Sequence, residues 1–85
     1  MDDGEPGYQS LDLSGLKCPL PVLRTRKALR ALPAGRGLLV TCTDPMAVID
    51  IPNLLREEGA RLDAVERRGD RTRFRITASA KPPHS

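Results

Sequence analysis

The segment Arg71-Thr72-Arg73-Phe74-Arg75-Ile76-Thr77-Ala78 alternates without a break. On an extended strand, Thr72, Phe74, Ile76 and Ala78 fall on one side, and Arg71, Arg73, Arg75 and Thr77 on the other. Successive strand side chains point to opposite faces, so this segment belongs to a sheet with one buried face and one open, polar face. A chain of 85 residues has room for one domain and one layer of helices over that buried face. A chain this short buries only about 60–65% of its unfolded surface, so the pattern must be obeyed closely. Tyr8 and Phe74 are the only aromatic residues, which leaves the core to aliphatic side chains.

The remaining elements follow from periodicity and punctuation. Gln9 to Leu13 places Leu11 and Leu13 inward and Asp12 outward, a short strand. From Pro19 to Leu32 the period is helical: Val22, Thr25, Ala28, Leu29 and Leu32 share a face, while Arg24, Arg26, Lys27 and Arg30 lie off it. Pro33-Ala34-Gly35 stops the helix, and Leu38 to Thr43 is an aliphatic strand. Asp44-Pro45 reads as an N-cap followed by a first-turn proline. Met46 to Glu58 is helical in composition but contains Pro52, and a proline deep in a helix costs about 3 kcal/mol. The expectation is therefore a short turn and a restart near Asp50, ended by Gly59. Arg61 to Arg67 and Thr72 to Ala78 are strands around a two-residue hairpin turn within Arg68-Gly69-Asp70-Arg71. That turn also accounts for the integrin-type tripeptide Arg68-Gly69-Asp70. The order is β-α-β-α-β-β, with both helices on one face. Residues 1–8 and 80–85 read as loose tails around a single domain spanning 9–79.

Charge and cysteine usage narrow the setting. A net charge of +3 permits an anionic partner without demanding one. The opening residues are acidic, without the apolar run of an export signal, and no stretch approaches the roughly 20 apolar residues of a membrane span. Two cysteines in such a chain are expected as free thiols in the cytoplasm.

The chemistry concentrates in Gly15-Leu16-Lys17-Cys18-Pro19-Leu20-Pro21. Pro19 suits the first helical position and Pro21 still falls in the first turn, where no intrahelical donor is lost. Cys18 is then the N-cap or its neighbour, over the free N–H groups and the positive end of the helix dipole. That setting lowers a thiol's pKa, and Lys17 and Arg24 add positive charge nearby. A dithiol of thioredoxin type needs a second cysteine where Pro21 stands, and a cysteine hydrolase needs a base, yet the only histidine is His84. Cys18, Cys42 and His84 are too few and too scattered for zinc. What remains is thiol exchange, or carriage of an extra sulfur as a persulfide. The ordinary alternative for Cys18 is a buried structural thiol. Cys42 alternates with Leu38 and Val40 and reads as core.

These residues resemble the small sulfur carriers of the TusA/SirA-like family. The resemblance runs through Leu11-Asp12, Gly15 to Pro21 with its Cys-Pro-x-Pro element, Arg26-Lys27, Leu32-Pro33 and Gly35. It continues through Asp44-Pro45, Asp50-Ile51-Pro52 and Phe74-Arg75-Ile76, and so covers nearly all of residues 9–78. It implies an α/β two-layer sandwich, a four-stranded mixed sheet with two helices on one face. It also implies that Cys18 accepts sulfane sulfur from a donor, typically a cysteine desulfurase, and passes it as a persulfide to an acceptor protein. Branches of the family serve tRNA 2-thiolation, molybdenum cofactor assembly or sulfur oxidation, and the residues do not say which. "Carrier" and "sulfurtransferase" describe one step of such a relay. Lys17, Pro19 and Pro21 support the helix start. Candidate docking residues are Arg24, Arg26 and Lys27, of which Arg26 and Lys27 match the family's basic pair, and Asp50; a solvated helix face is the plainer reading of that pair. Asp44 and Asp50 match family positions and read first as helix caps. Many relatives carry a lysine shortly after the Phe-x-Ile pattern, where Thr77, Ala78 and Ser79 stand here.

No cofactor and no metal are expected, and a monomer suits a carrier that shows one thiol to successive partners. Two rivals remain. One is a redox-sensitive regulatory interaction module, which shares the fold and the thiol. The other is RNA binding on the arginine face, against which stands the lack of exposed aromatics for base stacking; tight nucleic-acid binding is not expected.

Overall fold

The computed structural model describes residues 8–78. Six elements follow one another: β1 (Tyr8–Leu13), α1 (Leu20–Ala31), β2 (Gly37–Cys42), α2 (Ala47–Glu58), β3 (Arg61–Arg68) and β4 (Arg71–Thr77). The strands form one sheet in the order β1-β2-β4-β3. β1 and β2 are parallel, and β4 is antiparallel to both β2 and β3, so the sheet is mixed as expected. The tails expected at 1–8 and 80–85 lie outside the described residues, except that Tyr8 opens β1, one residue before the expected strand start.

One core cluster joins both helices to one sheet face. Leu29 of α1 and Ala47, Ile51 and Leu55 of α2 meet Leu38, Val40, Cys42, Phe74 and Ile76. Phe74 and Ile76 are fully buried, which settles the direction of the β4 alternation. On the opposite face lie Arg71, Arg73 and Arg75, together with Leu39. Leu39 is nonetheless buried at 1% exposure, in register between Ser10 and Arg75. An arginine stem is apolar and can cover such a residue while its charge stays in water.

Two expectations about α2 need correction. The helix does not break and restart near Asp50; it runs unbroken from Ala47 to Glu58 with Pro52 inside it. Pro52 denies a donor to only one carbonyl, that of Val48, and Val48 is exposed to water. Burial of Ala47, Ile51, Leu54 and Leu55 on both sides of the proline outweighs that one lost bond. Asp44 is also not the N-cap, which is Met46. Asp44 acts one turn earlier, its Oδ1 accepting from the Met46 N–H at 3.1 Å. At the other end Gly59 takes φ 73, and the Ala60 N–H reaches back to the Leu55 carbonyl at 2.9 Å, so glycine is required there.

Candidate functional site

Parallel β1 and β2 deliver two loops to the same end of the sheet. The loop after β1 turns at Gly15, whose N–H donates to Thr43 Oγ1 at 2.8 Å in the loop after β2. Asp12 Oδ1 accepts from the Ser14 N–H and hydroxyl at 3.0 and 2.6 Å, which tightens the exit from β1. The Cys18 N–H then donates to Asp44 Oδ2 at 2.6 Å. A single carboxylate therefore ties the Cys18 loop to the start of α2. On the α1 side, the Leu20 N–H bonds the Lys17 carbonyl at 2.9 Å, and a cis peptide bond joins Cys18 to Pro19.

Cys18 stands just outside α1. Pro19 is the N-cap and Pro21 falls inside the first turn, without a side-chain cap bond. Pro19 is thus one place earlier than the first helical position expected for it, and Cys18 is the neighbour of the cap. The Cys18 side chain is exposed, and its Sγ donates to Asp50 Oδ2 on α2 at 3.5 Å. The expected lowering of the thiol pKa is therefore reversed. The hydrogen bond to Asp50 pushes the pKa up, and partial desolvation and the negative charges of Asp50 and Asp44 push the same way. This direction favours the protonated thiol, whose hydrogen bond points to the Asp50 carboxylate.

The helix starts that flank the Cys18 loop expose apolar side chains. Leu20 and Leu23 on α1, and Met46, Val48 and Ile49 at the start of α2, are exposed by 40–57%. Of the large hydrophobic side chains exposed among the described residues, only Val65 lies elsewhere, on β3. Exposed apolar side chains gathered at one end of a small domain mark an interaction surface.

Comparison with known proteins now bears on this site. The family described as Sulfurtransferase TusA matches residues 9–78. The chain belongs to the TusA family. A sulfur carrier protein TusA from Allochromatium vinosum is 41% identical over 71 residues, covering 84% of this chain and 93% of that one. The crystal structure of a SirA-like protein from Desulfitobacterium hafniense superposes with a TM-score of 0.72 at 25% identity. That match covers 82% of this chain and 96% of the other. The TusA resemblance read from the sequence and the mixed two-layer sandwich are both confirmed.

Within this TusA-family fold, the candidate residues separate into groups. Lys17, Cys18, Pro19, Asp44 and Asp50 come together at the loop ends, with Pro21 buried beneath them. Arg26 is drawn into the helix–helix seam, 3.7 Å from Glu58 and 4.0 Å from Glu57, beside the bidentate Arg30–Glu58 pair. Arg24 and Lys27 are exposed on α1. Cys42 is core, at 1% exposure, and burial pushes its thiol up to about 11, with Asp44 and Asp12 adding to the shift. Among the described residues no group of three His, Cys, Asp or Glu could hold a metal ion, and no helix is long and apolar enough to cross a membrane. The apolar collar was missed in the sequence. Its signal was Met46-Ala47-Val48-Ile49, a run of apolar residues too long for a single buried helix stripe.

Proposed function

We propose that this chain carries sulfane sulfur as a persulfide on Cys18, loaded by a donor protein and discharged to an acceptor protein. The observation that carries this reading is the exposed Cys18 thiol, hydrogen-bonded to Asp50 between helix starts that expose an apolar collar. In loading, the donor presents a persulfide, R–S–SH. The Cys18 proton passes to Asp50, and the Cys18 sulfur attacks the outer, sulfane sulfur. The donor S–S bond breaks, R–S⁻ leaves, and Asp50 returns the proton to it. Cys18 ends as Cys–S–SH, with no net oxidation. Discharge repeats these steps with Cys18 as the leaving sulfur. The collar excludes water from the exchange, which protects the persulfide and strengthens the Cys18–Asp50 interaction while the partner is docked.

A cysteine desulfurase is the donor type that the family resemblance suggests, and the relative named as a TusA sulfur carrier supports the carrier role. The acceptor belongs to tRNA thiolation, molybdenum cofactor assembly or sulfur oxidation, in a reducing, cytoplasmic setting where Cys18 stays free. The chain would act as a monomer, alternating between donor and acceptor. A disulfide switch is the weaker reading, because Cys42 is sealed in the core. The test is cyanolysis after incubation with a cysteine desulfurase and cysteine. Thiocyanate close to one equivalent per wild-type chain, and background from Cys18→Ser, is expected; equal release from the two proteins would overturn the proposal.

A further inference from the structure

The open face of the sheet carries its own charge pattern. Asp63, displaced by the irregularity between Leu62 and Ala64, holds Arg61 at 2.7 Å. Glu66 holds Arg75 at 3.1 Å. The Arg61–Asp63 pair lies at the end of the face remote from Cys18, and Glu66, the register partner of Arg73, is committed to Arg75. Toward the Cys18 end, Arg68 and Arg71 are register partners across the β3–β4 hairpin, and Arg73 follows on the same face. Among the described residues these three arginines form no ion pair, and Ser10, Asp12 and Thr41 complete a concavity of about 310 Å³ around them. Asp12 acts as a counter-charge to Arg71 without an ion pair, and its Oδ1 accepts from Ser14. Asp12 leaves a surplus of positive charge in the concavity.

Position gives this surplus a meaning. Cys42 of β2 pairs with Thr72 of β4, so the start of β4 lies at the end of the sheet where the Cys18 and Asp44 loops emerge. A protein interface of ordinary size covers about 800 Å² per partner, roughly 30 Å across. The shorter dimensions of this molecule are 27 and 18 Å, so a footprint of that width centred on Cys18 is broad enough to extend round the sheet end to the arginines. We infer that the Arg68–Arg71–Arg73 concavity is an anchor for an acidic segment of the protein that exchanges sulfur with Cys18. The inference rests on the carrier reading for the partner's identity, while the site itself is set by charge and register. Guanidinium forks match carboxylates in bidentate pairs, and three on a rigid sheet are already spaced for Asp and Glu side chains on an extended strand. Nucleic acid fits less well, because this end of the face offers no aromatic side chain for a base.

The test uses fluorescence anisotropy with a labelled octaglutamate peptide at low salt, alongside inorganic pyrophosphate and polyuridylate as competitors. Arg71→Ser/Arg73→Ser is expected to weaken the peptide about tenfold, whereas Arg36→Ser/Arg56→Ser, at exposed arginines outside the concavity, leaves it within about twofold. The sheet variant should also load more slowly from a desulfurase but at an unchanged rate from a small-molecule persulfide. Failure of Cys18 to load from either source would sink the carrier reading and leave the peptide result standing. Peptide binding that is absent, or indifferent to the sheet variant, overturns the inference. So does pyrophosphate or polyuridylate binding there more tightly than the peptide, which would make it a phosphate site.

Discussion

Asp44 is the residue on which the site's geometry most depends, and its removal has a calculable effect. One oxygen accepts the Cys18 N–H at 2.6 Å and the other the Met46 N–H at 3.1 Å. Loss of a side chain capping one N–H costs about 0.5–2 kcal/mol, typically about 1, so Asp44→Ala should cost about 2 kcal/mol. In a domain of this size each kcal/mol moves Tm by about 4–8 °C, which puts the fall at about 8–16 °C. Asp44→Asn retains one acceptor oxygen and should lose about half as much. Glu57→Ala, at a side chain 69% exposed and 4.0 Å from Arg26, is the reference and should stay within about 0.5 kcal/mol. Thermal and urea melts followed by circular dichroism measure all three. The negative charge of Asp44 also helps to keep Cys18 protonated. Asp44→Ala should therefore alkylate faster with iodoacetamide at a mildly alkaline pH, although its fold is weaker. An alanine variant that melts within about 2 °C of wild type would refute the tie between the two loops.

Three further outcomes are expected. Asp50→Asn removes the main cause holding the Cys18 pKa up, so the pH midpoint of Cys18 alkylation should move down; an unmoved midpoint would mean the Sγ–Oδ2 contact does not persist. Thr25 is fully buried and its Oγ1 has no hydrogen-bond partner, so Thr25→Val should stabilise the fold by about 1 kcal/mol or more, and a lower Tm would show the hydroxyl to be bonded after all. Cys42, buried with its thiol near 11, should resist iodoacetamide in native buffer up to about pH 9 and react once urea unfolds the chain; native labelling of Cys42 would contradict the core assignment.

Local pattern carried much of this architecture. The alternation through Phe74 and Ile76 and the helical period through Thr25 and Leu29 both depend on neighbours a few residues apart, and both appear as read. Pro52 misled because its local penalty was weighed without the burial of Ile51 and Leu55, which only the packed fold supplies. Cys18 was legible from its two prolines, but the sign of its environment was not. Asp50 lies 32 residues away, and its approach to Sγ depends on how α2 docks against the Cys18 loop. The arginines of β4 were visible as a face. Which of them are neutralised depends on the β3 register, including the irregularity between Leu62 and Ala64 that no periodicity announces.

The most direct test of the carrier claim locates the sulfur in the wild-type chain with both cysteines present. After incubation with a cysteine desulfurase and cysteine, the persulfide is trapped by alkylation and mapped by peptide mass spectrometry. The account predicts one added sulfur, about 32 Da and removable by reductant, on the peptide holding Cys18 and none on that holding Cys42. Sulfur on Cys42, or none on either after both a desulfurase and a small-molecule persulfide have been tried, would contradict it.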